Sequence, residues 1–248
     1  IGFKSLEEGV EILKELHKSG IALETVFMFD RAYLQRFLER AGCQTSEELT
    51  WAALLGLSGD KEVVEFQKQH ALKICSKFGA VELNQELAEM WWRSLWVTRG
   101  SHDANTYPYS AREWEGDLID ACVPLSKFKE MYDYYLKLKK EYGWSDKTQG
   151  AGCIATPRGC IPSGMYVGAP IDTRSKQEIE KWFEFKERMY RLALSLGGTI
   201  SYVNGVGQRT AIFIRDELGP AFDVLKDIKK LLDPNNILNR GNRGFAGG

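Results

Sequence analysis

Arginine, tyrosine and asparagine side chains in this sequence have the chemistry to bind a small polar molecule. Arg99 and Arg158 carry planar guanidinium groups, which suit two-point recognition of a carboxylate or phosphate. Tyr107 and Tyr202 carry phenols that can position or deprotonate a hydroxyl group. Asn204 can hydrogen-bond a substrate oxygen but cannot act as a general base. Each residue also has a plainer explanation, as a surface arginine or as a tyrosine that packs on the edge of a sheet.

The cysteines are the other group that could form a site. There are five, an odd number, and only Cys153 and Cys160 lie close enough in sequence to share one. Zinc would require one or two further ligands, and among the three histidines only His102, in a polar stretch, is a candidate. The alternative is a pair of small, buried strand residues. We therefore expect no metal and reduced thiols, which are typical of a cytoplasmic protein.

Composition limits the classes of function. The 248 residues carry a formal net charge of -1 and are 44% apolar, so no basic surplus suggests a nucleic-acid partner. No run of about 18 apolar residues suggests a membrane span. The sequence opens "IGFKSLEEGVEILKELHKSG", without a Met or a signal peptide, and we expect an N-terminal part to be missing from it.

Apolar spacing and capping residues predict the elements that would position these groups. Ser5 with Glu8, and Ser175 with Glu178, are capping-box patterns that predict a helix after each serine. Further helices are predicted over residues 31–41, 60–78, 85–96, 126–138, 208–217 and 220–232. Strands are predicted for "ETVFMFD", "WAALLGLSG", "AVEL", "DLIDACVP", the two halves of "QGAGCIATPRGCIPSGMYVGAP" and "TISYV", and residues 98–114 are predicted to form a loop.

The order of these elements predicts the fold class. From Trp51 the order is strand-helix-strand-helix, and then strand-helix-strand-strand-helix-strand. This is a doubled split-βαβ pattern, which predicts an α+β fold with a mostly antiparallel sheet and helices packed on a face. The end of the chain, "LKDIKKLLDPNNILNRGNRGF", is a helix with an apolar stripe, a stop at Pro234 and a polar tail.

Six short stretches in this order resemble one family. They are "AALLGLSGD", "FGAVELN", "LWVTRG", "DACVPLSKFKEM", "GGTISYVNGVGQRT" and "LKDIKKLLDPNNILNRGN". Together they resemble the C-terminal half of FAD-linked oxidases, the group of D-lactate and glycolate dehydrogenases and alkyldihydroxyacetonephosphate synthase. The resemblance implies a ferredoxin-like cap domain and an FAD bound mainly by an N-terminal domain. Residues 1–50 would then be a helical lead-in from that domain, 51–203 the cap or substrate domain, and 204–248 helices and a tail that return toward the flavin.

The same resemblance assigns roles to the candidate residues. Arg99, Tyr107 and Arg158 are expected to bind substrate, and Tyr202 and Asn204 to act in catalysis. The tail residue Asn239 and Gly205 of the short Gly-x-Gly are expected beside the flavin.

One departure from the family pattern concerns metal. Many hydroxy-acid dehydrogenases of this family carry a His pair seven residues apart and a Glu-His before the Gly-x-Gly, which together hold a divalent metal. Here Cys153 and Cys160 align with the His pair, and Val203 and Asn204 align with the Glu-His. A carboxylate ligand and an imidazole base are therefore lost.

Three functions remain open. The first is the cap of an FAD-dependent oxidoreductase that oxidises a 2-hydroxy acid, an alcohol or a phenol, partnered by an N-terminal FAD domain or an FAD-carrying subunit. The second is a non-catalytic subunit or scaffold that keeps the fold without redox chemistry. The third is a free-standing small-molecule binding module, which no feature of the sequence favours. A homo-oligomer is compatible with all three.

Overall fold

The computed structural model describes residues 1–100, 116–144, 151–155, 162–170, 175–202, 205–206 and 210–240. Its strands are β1 (Gly2–Phe3), β2 (Leu23–Asp30), β3 (Trp51–Leu57), β4 (Gly116–Pro124), β5 (Gly152–Ala155) and β6 (Pro162–Pro170). Its α-helices are α1 (Leu6–Lys18), α2 (Arg31–Ala41), α3 (Lys61–Ser76), α4 (Gln85–Gly100), α5 (Phe128–Glu141), α6 (Lys176–Ser195), α7 (Ile214–Leu218) and α8 (Ala221–Leu232). Short 3₁₀ turns at Leu125–Lys127 and Ala211–Phe213 precede α5 and α7.

Local caps explain where several helices begin and end. Ser5 Oγ accepts a hydrogen bond from the Glu8 amide (3.2 Å), and Ser175 Oγ accepts one from the Glu178 amide (3.3 Å). Helix α2 begins after Asp30, whose carboxylate accepts from the Tyr33 amide at 3.0 Å. The helix ends at Gly42, where a left-handed φ of 63° is readily adopted by glycine. These caps fix the helix boundaries that the sequence predicts.

All the strands pair antiparallel, in the order β1-β3-β2-β5-β6-β4. The strand order is the same from both edges, because β1, β2 and β3 of the first half correspond to β4, β5 and β6 of the second, with the extra helix α2 between β2 and β3. The two halves meet where β2 pairs with β5. This arrangement confirms the predicted α+β class with an antiparallel, doubled split-βαβ sheet, but the first unit begins at Gly2 and not at Trp51 as predicted. Residues 1–50 contribute β1 and β2 to this same sheet.

Helices cover both faces of the sheet unequally. Strand residues such as Met28, Ile119 and Ala121 pack with α1, α3, α5 and α6 in the main core. A smaller cluster on the other face of β2 and β3, around Phe27 and Phe29, packs with α2 and α4. The outer edge of β4, opposite β6, is paired with the chain after α6.

Two predicted strands are absent from the described part of the chain. "AVEL" contributes a single bridge, from Val81 to Gly2, and "TISYV" contributes two bridges to β4, one antiparallel and one parallel. The second segment does not continue as a ladder because the carbonyl oxygen of Asp120 accepts from the Tyr202 amide, and not from the Ser201 amide that an antiparallel ladder would use. Two boundaries also differ from prediction.

The first boundary is the end of α4. The helix continues through residues 98–100, which were assigned to the loop, since no Gly or Pro interrupts residues 85–99. The second is the start of the penultimate helix. Residues 208 and 209 lie outside the described ranges, and the α-helix begins at Ile214.

Candidate active site

The segment that follows α6 lies against β4 at very short range. Gly198 makes this possible, because a Cβ at that position would lie 2.0 Å from the carbonyl oxygen of Cys122. The next residue, Thr199, exchanges two backbone hydrogen bonds with Cys122, at 2.8 and 2.9 Å. The glycine therefore brings residues 199–202 alongside the outer edge of β4, the edge that faces away from β6.

Asp120 of β4 holds the far end of this segment. Its carbonyl oxygen and its carboxylate Oδ2 both accept from the Tyr202 amide, at 3.0 and 3.1 Å, and Oδ2 also accepts from Ser201 Oγ at 3.4 Å. The residue is only 7% exposed, so its charge depends on such donors for stabilisation. Asp120 fixes the backbone of the predicted catalytic residue Tyr202.

A second carboxylate holds the near end. Glu217 of α7 accepts from Thr199 Oγ1 at 2.6 Å and from the Ile200 amide at 3.0 Å. Hydrogen bonds to a charged acceptor are stronger than neutral ones. Residues 199–202 are thus held between Asp120 and Glu217.

The predicted residues of this region differ in how the structure places them. Tyr202 is half-buried beside Asp120. Gly205 has a left-handed φ of 72°, with open space where a Cβ would stand, so this stretch of backbone is accessible to another group. Asn204 lies outside the described residues.

The tail after α8 forms a compact turn around a buried carboxylate. Asp233 accepts from the amides of Ile237 (3.0 Å) and Leu238 (2.9 Å) and pairs with the Lys229 ammonium. The Lys229 ammonium is the main cause of the pKa of Asp233 falling to about 2. The predicted flavin-side residue Asn239 is exposed at the end of this turn with a positive φ of 46°. Asn239 is therefore presented outward on a structured turn.

The remaining predicted substrate residues are only partly located. Arg99 lies in the last turn of α4, where the path of the backbone is described. Tyr107 and Arg158 lie outside the described residues, as does the turn that carries Arg158. Tyr202 is the predicted site residue for which the described part of the chain shows a contact with another element, Asp120 of β4.

Two cysteines of the described part of the chain, Cys122 and Cys153, lie in strands. Cys153 lies on β5, where it pairs with Met28 and Met165, while Cys160 lies outside the described residues. Burial, and secondarily the Asp120 charge, raise the pKa of the Cys122 thiol to about 12, so Cys122 stays protonated near neutral pH. Within the described ranges, no three His, Cys, Asp or Glu residues cluster as metal ligands.

A cluster of aromatic rings lies on the second face of the first half of the sheet. Phe27 stacks on Trp91 at 6.1 Å between ring centroids, and Tyr33 lies edge-on to Phe27 at 5.5 Å. Phe29 and Phe37 complete the cluster, 5.8 Å apart. The spacing i, i+2 on β2 and i, i+4 on α2 could have indicated this cluster from the sequence. It packs the beginning of α4, the helix that ends at Arg99.

The comparisons with known proteins agree on one family. The family model for FAD linked oxidases, C-terminal domain, matches residues 1–242. The chain is 27% identical over 244 residues to D-lactate dehydrogenase of Archaeoglobus fulgidus, covering 97% of this chain and 50% of that protein. It is 25% identical over 244 residues to glycolate oxidase subunit GlcD of Bacillus subtilis, covering 96% of this chain and 49% of that protein. The chain thus spans about half the length of these curated relatives.

Solved structures show the same fold at lower sequence identity. The 4-ethylphenol oxidase of Gulosibacter chungangensis matches with a TM-score of 0.64 at 13% identity, over 99% of this chain and 53% of that one. Alkyldihydroxyacetonephosphate synthase matches with a TM-score of 0.55 at 15% identity, over 96% of this chain and 42% of that one. Because the family model covers nearly the whole sequence, this chain belongs to the FAD-linked oxidase C-terminal domain family.

Proposed function

We propose that this chain is the substrate-binding cap of an FAD-dependent oxidoreductase that oxidises a 2-hydroxy acid, an alcohol or a phenol. The observation that carries the proposal is the family match over residues 1–242. The names of the relatives, a D-lactate dehydrogenase and a glycolate oxidase subunit, support hydroxy-acid oxidation. Flavin, when bound, accepts the hydride that leaves the substrate carbon.

Two groups in the described part of the chain suit the edge of a flavin ring. The exposed Asn239 amide and the open backbone at Gly205 suit hydrogen bonding to a planar ring edge. Most of the cofactor would be held by an N-terminal FAD domain or an FAD-carrying subunit.

The proposed roles of the chain follow from where its polar groups lie. Tyr202, fixed by Asp120, and Asn204, two residues further on, would orient or deprotonate the substrate hydroxyl. Arg99, Tyr107 and Arg158 would bind its anionic or polar end. Asp120 contributes by fixing the Tyr202 backbone, so it is a positioning residue.

The proposed location is the cytoplasm. Within the described ranges Cys43, Cys75 and Cys122 form no disulfide, which suits a reducing compartment. No helix in the described ranges combines the length and apolarity needed to cross a bilayer.

The non-catalytic scaffold remains a second candidate because Val203 and Asn204 stand where many relatives carry Glu-His. The experiment that separates the two functions is to purify the full-length protein and record its visible absorption. A flavin band that is bleached by a 2-hydroxy acid, an alcohol or a phenol supports the oxidoreductase. A colourless protein, or a bound flavin that none of these classes reduces, supports the scaffold.

Variants in the flavin-loaded protein test the role of Tyr202. Tyr202→Phe should slow reduction of the bound flavin by roughly tenfold or more, the low end of the effect of losing an acid-base group. The matched control is Tyr134→Phe. Its hydroxyl lies on α5 and accepts from Arg188 Nε at 3.3 Å, so the rate should not change. Equal rates in the two variants would remove Tyr202 from the mechanism.

A further inference from the structure

The two halves of the sheet are joined by a short ladder between β2 and β5, which we call the seam. Four residue pairs form it, from Val26 with Ala155 to Phe29 with Gly152. The neighbouring ladder between β4 and β6 runs over nine pairs. Because a short ladder has few backbone hydrogen bonds, any further bond at its end has a large share in holding the halves together.

Asp30 supplies such bonds at the end of the seam. Its amide donates to the carbonyl oxygen of Ala151 at 3.1 Å, and its carboxylate Oδ2 accepts from the Ala151 amide at 2.9 Å. In a regular antiparallel pair the backbone carbonyl of Asp30 would accept the second of these bonds. Asp30 is also the N-cap of α2, where the backbone carbonyl accepts the first hydrogen bond of the helix. The carboxylate therefore replaces that carbonyl as the last acceptor of the ladder.

The same carboxylate bonds to helices of both halves. Oδ1 accepts from the Tyr33 amide in α2 at 3.0 Å, and Oδ2 accepts from the Tyr132 hydroxyl of α5 at 3.2 Å. The Tyr132 ring lies edge-on to Trp51 of β3, with 4.8 Å between ring centroids, so α5 reaches across the seam. Capping of α2 requires one oxygen, which a serine also provides. The second oxygen of Asp30 is the one that connects the halves.

The two halves carry different parts of the candidate site. Arg99 lies on α4, which packs on the first half where Trp91 stacks on Phe27. The Tyr202 amide is held by Asp120 of β4, in the second half. A substrate that one half binds and the other half acts on is oriented by the way the halves meet. Small errors in such an orientation slow a reaction strongly.

We propose that Asp30 is a positioning residue of the candidate site. By fixing the seam, it fixes how the half that carries Arg99 lies relative to the half that carries Tyr202. It acts through the backbone of Ala151. This inference rests on the proposed function, to which the roles of Arg99 and Tyr202 belong.

The experiment compares two variants of the full-length, flavin-loaded protein. The reference is Tyr132→Phe, which removes the phenol bond and keeps both bonds between Asp30 and Ala151. The test variant adds Asp30→Ser to it. Serine preserves the cap of α2, but its side chain is one atom shorter and does not reach the Ala151 amide. The two proteins therefore differ in the bond that closes the seam and in the charge that makes it.

Hydrogen exchange measures the seam itself. Exchange of the Ala151 amide should be faster in the test variant by about tenfold or more, because a hydrogen bond to a charged acceptor is among the stronger ones. The Cys122 amide, which donates to the Thr199 carbonyl at 2.9 Å on the outer edge of β4, should keep its rate. Unfolding of the whole domain would speed both amides, so their difference reports on the seam.

Rapid mixing with a substrate that reduces the wild-type flavin measures positioning. The limiting rate of flavin reduction per bound flavin should fall roughly tenfold in the test variant. The substrate concentration for half-saturation should change by less than about twofold, because the binding groups remain and only their orientation is lost. A purely structural role would lower the amount of flavin-loaded protein and leave the rate per bound flavin unchanged.

Asp60→Ser is the matched control. Asp60 is the N-cap of α3 and is exposed, and its side chain makes no capping hydrogen bond. The same substitution there should alter neither the exchange of the Ala151 amide nor the rate of flavin reduction.

Three results would count against the proposal in different ways. An unchanged exchange rate of the Ala151 amide would show that Asp30 does not fix the seam. Faster exchange with an unchanged rate of flavin reduction would show that the seam does not position the site. A wild-type flavin that no 2-hydroxy acid, alcohol or phenol reduces would refute the proposed function, and the positioning role with it, while the exchange rates would still decide whether Asp30 fixes the seam.

Discussion

Replacing Gly198 by alanine is the sharpest test of how the candidate site is held together. The new methyl group would stand 2.0 Å from Cys122 O and 2.9 Å from Ala193 O, so the backbone itself must move. That movement breaks the two hydrogen bonds between Thr199 and Cys122 and loosens the contact of the Tyr202 amide with Asp120. At about 1 kcal/mol for each of the three, Gly198→Ala should lower the free energy of unfolding by about 3 kcal/mol.

Gly197→Ala is the matched control for this prediction. Gly197 has a φ of 78° but nothing within 4 Å of a Cβ, so its alanine meets only the cost of the left-handed backbone, about 1 kcal/mol. The assay is urea denaturation of both variants, with hydrogen exchange at the Tyr202 amide as a local readout. If Gly198→Ala costs no more than Gly197→Ala and leaves that amide protected, close contact with β4 does not position the segment.

Three further substitutions test other carboxylates. Asp30→Ala should lower the free energy of unfolding by about 3 kcal/mol, because two amides and one phenol lose their acceptor in a buried site. Chemical denaturation measures this free energy, and a loss below about 1 kcal/mol would contradict the prediction. Glu217→Ala should cost about 2 kcal/mol and speed exchange of the Ile200 amide, whereas unchanged exchange would show that Glu217 does not hold it. Because the Lys229 ammonium lowers the pKa of Asp233 from 3.8 to about 2, this carboxylate stabilises the fold above about pH 4 and loses that contribution as pH falls toward 2. Asp233→Asn should flatten that part of a stability-against-pH curve, and an unchanged slope would refute the assignment.

The helices were predictable because their signals are local. Ser5, Ser175 and Asp30 cap helices through residues only three positions away, so the sequence contains both partners. The segments "AVEL" and "TISYV" have strand-like composition, but their pairing depends on distant residues. The Tyr202 amide bonds to Asp120, 82 positions earlier, and that contact is not visible in a short window.

The residues of the candidate site were also predictable only in part. Tyr202 was predicted as a phenol that could position or deprotonate a hydroxyl group, and its place at the outer edge of β4 next to Asp120 could not be predicted. Asp120 had a signal, a carboxylate between the apolar residues Ile119 and Ala121 of one strand. Glu217 had no such signal in the sequence, since an acidic residue in a short helix is ordinarily solvated.

Helix α8 has a consequence for anyone who handles this chain alone. The sequence correctly predicts the apolar stripe along this helix. The stripe is not covered in the described part of the chain: its residues Leu225, Ile228, Leu231 and Leu232 are 38, 47, 81 and 75% exposed. An exposed apolar surface of this extent favours aggregation as the protein concentration rises. Ammonium sulfate strengthens apolar association and should increase the turbidity of a solution of this chain. A low concentration of urea weakens that association and should reduce the turbidity. Yield during purification will therefore depend on the choice of salt.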